Sequence, residues 1–168
     1  AILNLKKEQI PIIASYDEII YIEQPKMVYY QVLQGKLSSC ITQLQSGSNG
    51  LSGKGILVGV IDSGIDYTLP HFRKADGSTR ILRYWDQSGK GIPPEGYLQG
   101  VEYTDVEIND YLRRNVVKNG GDILGSDNSG HGTAVLGIAV GNGQVSNGRY
   151  RGIAYESEII RQQSPKYE

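Results

Sequence analysis

The sequence predicts an α/β fold built on a parallel sheet, and three segments predict it. Ile56 to Ile61 is a short Val- and Ile-rich run that closes on Asp62-Ser63-Gly64, the pattern of a fully buried strand. His131 to Val140 is a stretch of small and apolar residues ended by Gly141-Asn142-Gly143, which fits a buried helix. Ser157 to Arg161 fits a second short strand. Strand, helix and strand in that order imply a right-handed parallel βαβ unit. In open sheets of this kind functional side chains gather at the carboxyl ends of strands, which is where Asp62 lies.

The remaining elements follow in chain order. Asn4 can cap a short helix over about 6–15, in which Pro11 has to lie in the first turn or bend the helix. Glu18 to Glu23 reads as a strand stopped by Pro25, and Met27 to Tyr30 as an extended apolar segment. Such a short helix, strand and tail bury too little surface to stand alone. Residues 34–55 are polar and glycine-rich and predict loops, with at most a short helix near Cys40 to Leu44. Ile81 to Asp86 predicts a strand, and Gly89, Gly91, Pro93, Pro94 and Gly96 a loop after it. Thr104-Asp105-Val106-Glu107 is a capping box. Ile108, Tyr111, Leu112 and Val116 then recur at helical spacing, so a helix is expected over 105–118, ended by Asn119-Gly120-Gly121. Within it Asp110 can pair with Arg113 or Arg114. Residues 122–130 predict a loop, with Asn128 or Ser129 available to cap the helix that opens at His131. Residues 144–151 predict a further loop.

Composition narrows the function classes. The 168 residues carry a net charge of −1, which gives no electrostatic reason to expect nucleic acid or an anionic membrane as partner. One cysteine, Cys40, excludes an intramolecular disulfide framework and any multi-cysteine metal site, and its expected place is as a small buried side chain. No apolar run approaches the ~20 residues of a membrane-spanning helix. There is no initiator Met and no basic-then-apolar leader, so a signal peptide is expected to be absent or already removed.

Asp62 and His131 make chemical sense as a pair. A hydroxyl is a poor nucleophile until a neutral imidazole takes its proton, and a carboxylate on the other ring nitrogen holds the imidazole in the required tautomer. Gly64, Gly130 and Gly132 would let the two backbones approach. Aspartate before histidine is one of the chain orders in which this arrangement occurs. Taken singly, an aspartate at a strand end is more often a cap or loop anchor, and a lone histidine is more often structural.

Two longer motifs bear on that choice. Val60-Ile61-Asp62-Ser63-Gly64-Ile65-Asp66 and Gly130-His131-Gly132-Thr133-Ala134-Val135-Leu136-Gly137 resemble the Asp and His motifs of the subtilisin-like serine proteases, and Gly152-Ile153-Ala154 resembles the segment of that family leading into the next strand. The resemblance covers roughly residues 50–160. Ser39-Cys40-Ile41, Gly50 to Gly55, Asp76 to Leu82 and Trp85-Asp86-Gln87 are in addition similar to the clostridial Csp-type subtilases, which include spore-germination proteases and carry an insertion between Asp and His.

The resemblance implies a parallel-sheet subtilisin-like fold, here its N-terminal half, with Asp62 as orienting acid and His131 as general base of a self-processing serine endopeptidase. It implies that residues 1–33 are the end of an α+β propeptide that chaperones and inhibits, that 34–168 begin the catalytic domain, and that 72–125 hold the insertion. Autocleavage would fall near Tyr30 to Leu33, with Gln31 as the single residue named for the cut. The alternative is an integral strand-helix element that is never cleaved. Protein or peptide substrates, the chain's own propeptide and the downstream part of the catalytic domain are the implied partners, and the implied location is extracytoplasmic or spore-associated. No cofactor is expected: where the family has His-Pro-Asp this chain has Leu69-Pro70-His71, so the carboxylate that often helps to bind calcium is replaced. The nucleophilic serine and the side-chain oxyanion donor belong to downstream motifs, and none of Ser126, Ser129, Ser146, Ser157 or Ser164 has the flanking pattern. The chain alone is therefore expected to be inactive. The ending Arg161-Gln162-Gln163-Ser164 departs from the apolar strand the family would continue with.

Four rivals remain, one of them a domain with a purely structural role. A non-catalytic Csp-type pseudoprotease would serve as a binding or regulatory partner. An aspartic protease would need a second Asp-Ser-Gly, which the chain lacks. A metal site could draw on Asp62, Asp66 and His131.

Overall fold

In a computed structural model the described residues are 6–17, 19, 22, 32–48, 50–114, 127 and 129–163. The chain divides into two compact units, Ala1–Tyr30 and Gln31–Glu168. In the first, a 3-10 turn at Lys7–Gln9 runs into α1 (Ile10–Ala14), with Pro11 in the first turn, where its missing N–H costs nothing. The Ser15 hydroxyl bonds back to the Ile12 carbonyl at its end. The expected Asn4 cap, the strand over 18–23 (apart from Ile19 and Ile22), the extended 27–30 and Gln31 lie outside the described residues.

Among its described residues the second unit holds a four-stranded sheet of β1 (Leu57–Asp62), β2 (Ile81–Asp86), β3 (Val101–Thr104) and β4 (Glu158–Gln163), in the order β1-β4-β2-β3. β1 and β2 both run parallel to β4, and β3 is antiparallel to β2. The register pairs Leu57 with Glu158 and Asp62 with Gln163, so the carboxyl ends of β1 and β4 lie side by side. Two expectations change here. β1 is not buried on both sides: burial alternates along it, with Leu57 49% and Ile61 66% exposed while Val58 and Val60 pack on the core. An apolar run specifies a strand, but its neighbours decide how many faces are covered, and α5 covers one. β3 falls in a stretch that shows no periodicity; it is a four-residue strand held by its pairing with β2.

Helix α4 (Asp105–Arg114) starts at the expected capping box, with the Thr104 N–H and hydroxyl donating to Glu107 Oε2, each at 2.8 Å, and the Glu107 N–H returning to Thr104 Oγ1. Asp110 pairs with Arg114 at 2.7 Å. The expected continuation over 115–121 lies outside the described residues. Ile108 is buried, and Tyr111 meets Tyr103 edge to face at 6.1 Å. Helix α5 (His131–Val140) has the expected bounds and ends at Gly141. The core gathers Ile65, Tyr67, Phe72, Ile81, Tyr84, Ile108, Leu136, Val140 and Ile159.

Residues 34–55 are more helical than their composition predicts. Helix α2 (Val32–Ser38) precedes the expected short helix, α3 (Ile41–Leu44). Gly35 hides α2 from a propensity reading. Polar anchors seat the pair: Lys36 Nζ donates to the Arg151 carbonyl, and Gln45 Nε2 to those of Gly152 and Ile153. Cys40 is exposed rather than buried, because it forms the left-handed turn (φ 57°) that leads from α2 into α3.

Buried Arg80 at the start of β2 takes the place of a backbone partner for several chain ends. Its guanidinium donates to the carbonyl of Val140 at the end of α5 (2.7 Å) and twice to that of Ser157 before β4 (2.9 and 2.7 Å). Burial lowers its pKa to about 10. Asn142 ties the far end of α5 to the Pro70–Phe72 turn through the Pro70 and Arg73 carbonyls.

Candidate functional site

The turn that follows β1 and the first turn of α5 meet. Asp62 ends β1, and His131 opens α5 69 positions later. His131 Nδ1 lies 2.8 Å from Asp62 Oδ1, and the Ser63 N–H also donates to that oxygen at 2.7 Å. The aspartate is half-buried, and the imidazole is largely open to solvent. The hydrogen bond from His131 holds the Asp62 carboxyl below its ordinary range; burial opposes this, and the Ser63 N–H adds to it. An ionised Asp62 accepts a proton from Nδ1, and Nε2 has no hydrogen-bond partner among the described residues.

Glycines make the approach possible. A Cβ on Gly132 would collide with the Gly64 carbonyl oxygen and with Arg161 Nη2. Gly64 itself has φ +141°, and a Cβ there would press on the backbone of Asp127. The guanidinium of Arg161, fully buried, is wedged between these segments: Nε and Nη2 both donate to the Gly64 carbonyl, while Nη1 has no partner among the described residues. Burial lowers the Arg161 pKa, and the carboxylates of Asp62 and Asp127 and the ring of Tyr84 act in the opposite sense.

Asp127 escapes the sequence reading, which treats 122–130 as a loop and offers Asn128 or Ser129 as the cap. The N-cap position is Gly130 (φ 72°), and the capping carboxylate is that of Asp127. Oδ2 accepts the Thr133 N–H (2.7 Å) and hydroxyl (2.6 Å); Oδ1 accepts the Gly130 N–H (3.1 Å) and the hydroxyls of Ser63 (2.8 Å) and Ser129 (3.1 Å). Burial raises its pKa, but these hydrogen bonds outweigh it and hold the carboxyl at about 2. An aspartate just ahead of a helix entry is a recognisable capping signal; its hold on Ser63 is not, because that partner lies 64 positions away. Ser129 Oγ accepts the His131 N–H at 3.1 Å, and Asn128 lies outside the described residues.

The other candidates fall away from this pair or outside the described residues. The Asp66 carboxylate turns back on Thr68, and no group of three or more His, Cys, Asp or Glu able to hold a metal occurs among the described residues. His71 sits in the Pro70–Phe72 turn, where its carbonyl accepts the Asn142 N–H and its ring meets Phe72. Gln31 is not among the described residues. No helix of the described residues is long and apolar enough to cross a membrane.

A model of the subtilase family matches residues 53–165. Among solved structures the CspB protease of Clostridium perfringens is similar, with a TM-score of 0.61 and 35% sequence identity over 77% of this chain. The match covers 24% of that protease, so the chain spans about a quarter of the relative's length.

Proposed function

The chain belongs to the subtilase family and has its subtilisin-like fold, and from that premise we propose that it is the N-terminal part of the catalytic domain of a serine endopeptidase, with His131 as general base and Asp62 as the acid that orients it. The observation that carries the proposal is the 2.8 Å contact between His131 Nδ1 and Asp62 Oδ1, which leaves Nε2 free.

The chemistry follows from that geometry. Nε2 takes the proton of a serine hydroxyl supplied by the downstream part of the domain. The alkoxide attacks the peptide carbonyl, and the imidazolium returns the proton to the leaving amine. Water, deprotonated by the same nitrogen, then releases the acyl group. Asp62 stays anionic throughout, fixes the tautomer and stabilises the imidazolium. The reaction needs no cofactor, since each proton moves between side chains, substrate and water. We assign no calcium site at Leu69-Pro70-His71, where an imidazole replaces the carboxylate oxygen that a hard cation prefers.

Residues 1–33 are assigned to the end of a propeptide cut near Gln31. Supporting this, the chain divides into compact units between Tyr30 and Gln31. Substrate protein, the propeptide and the remainder of the catalytic domain are then its partners.

Fluorophosphonate labelling of the full-length parent protein tests the assignment. The folded, propeptide-free protein should label, and Asp62→Asn should slow labelling by about a thousandfold or more. An unmutated protein that is folded, free of propeptide and unlabelled would overturn the enzyme and favour a pseudoprotease acting as a binding partner. Intact-mass measurement tests the cut: a single uncut species removes the propeptide assignment.

A further inference from the structure

We infer that Asp127 is a positioning residue for the Asp62–His131 pair, one carboxylate that holds the end of β1 and the start of α5 in register. The inference rests on reading that pair as catalytic, but the geometry behind it does not. The donors to Asp127 come from both segments: Ser63 directly follows Asp62, while Gly130 and Thr133 bracket His131. Two further contacts tighten the link. Ser63 Oγ, while donating to Asp127, accepts the Gly132 N–H at 3.1 Å. Thr133 Oγ1, while donating to Asp127, accepts the Asp66 N–H at 2.9 Å. Each hydroxyl thus links the two segments through Asp127, donating to its carboxylate while accepting a backbone N–H.

The requirement is for a carboxylate. An asparagine offers one acceptor oxygen and one NH2 group. Whichever way the amide turns, its NH2 meets a backbone N–H, that of Gly130 on one side or Thr133 on the other. The negative charge also lies at the N-terminus of a ten-residue helix, where it is favoured. Asp127's hydrogen bonds go to Ser63, Ser129, Gly130 and Thr133, not to the side chains of Asp62 or His131; it acts by fixing the backbones from which both side chains hang.

The full-length parent protein and its Asp127→Asn variant test this through two readouts. The first is the low-field proton resonance of His131 Nδ1–H, which reports the hydrogen bond to Asp62 and does not depend on turnover. The second is the rate of fluorophosphonate labelling. In the folded variant the resonance should broaden or vanish, and labelling should slow by about tenfold to a hundredfold, the effect of a displacement on the order of 1 Å. An unchanged resonance with labelling within about twofold of the parent would overturn the inference. Loss of the resonance in a protein whose parent never labels supports Asp127 as the positioning residue and refutes the catalytic reading instead. Should Asp127→Asn fail to fold, Ser63→Ala decides: it removes the hydroxyl bridge alone, so the resonance should weaken, and an unchanged one overturns the inference.

Discussion

Replacing Gly132 by alanine sets a helix's local preference against the packing around it. At an interior helical site this exchange ordinarily stabilises by up to about 1 kcal/mol. At Gly132 the new methyl group would collide with the Gly64 carbonyl and Arg161 Nη2, both of them buried. Pushing them aside costs about 1–3 kcal/mol of overpacking. It also weakens the paired hydrogen bonds from Arg161 to the Gly64 carbonyl, worth about 1.5–3 kcal/mol for a charged donor. The net expectation is a loss of about 2–4 kcal/mol. Gly137, in the same helix, is the control: a Cβ there meets nothing within 4 Å, so Gly137→Ala should stabilise by about 0.5–1 kcal/mol. Urea unfolding of the full-length parent protein and its two variants reads both values from the shift in midpoint at constant slope. Equal or greater stability of Gly132→Ala would refute the close approach of the two segments.

Arg80→Met should destabilise by about 2–4 kcal/mol, since it strands the buried carbonyls of Val140 and Ser157, and thermal melting checks it. Acid sensitivity should trace in part to Asp127. Its carboxyl is held at about 2 in the folded chain, below its ordinary value near 3.8, so it stabilises at and above pH 4, and that contribution disappears as pH falls from about 4 to 2. Stability measured against pH should therefore fall less steeply over that window in Asp127→Asn; an identical acid limb would remove Asp127 from the account. Thr104→Ala should cost about 1 kcal/mol by opening the capping box of α4, read from the melting midpoint.

What the sequence makes legible are features that neighbouring residues decide among themselves. α5 is bounded by glycine and filled with small apolar residues, and β2 is an apolar run between polar turns; both form where expected. The capping box of α4 is complete within four residues. What stays hidden depends on partners distant in sequence. The second face of β1, the strand at Val101–Thr104 and the seating of α2 by Lys36 are settled by whatever packs there. At the site, the two glycine-flanked motifs mark Asp62 and His131, and the structure brings their side chains to 2.8 Å. Asp127 and Arg161 stay illegible because their partners Ser63 and Gly64 lie 64 and 97 positions away.

The order of strands in the sheet has a consequence for how the chain is made. β4 lies between β1 and β2, yet it is the last of the four to be synthesised. Until Glu158–Gln163 leave the ribosome, the strand that joins β1 to β2 is missing, and of the pairings seen among the described residues only that of β2 with β3 can form. Pairing Leu57 with Glu158 then closes a long loop late, which is the slow kind of contact to form. During that interval the edges of β1 and β2 that β4 later covers stay unpaired, the condition in which strands associate wrongly. Biosynthesis of this sheet therefore favours whatever shields or templates β1 while its central strand is still being translated.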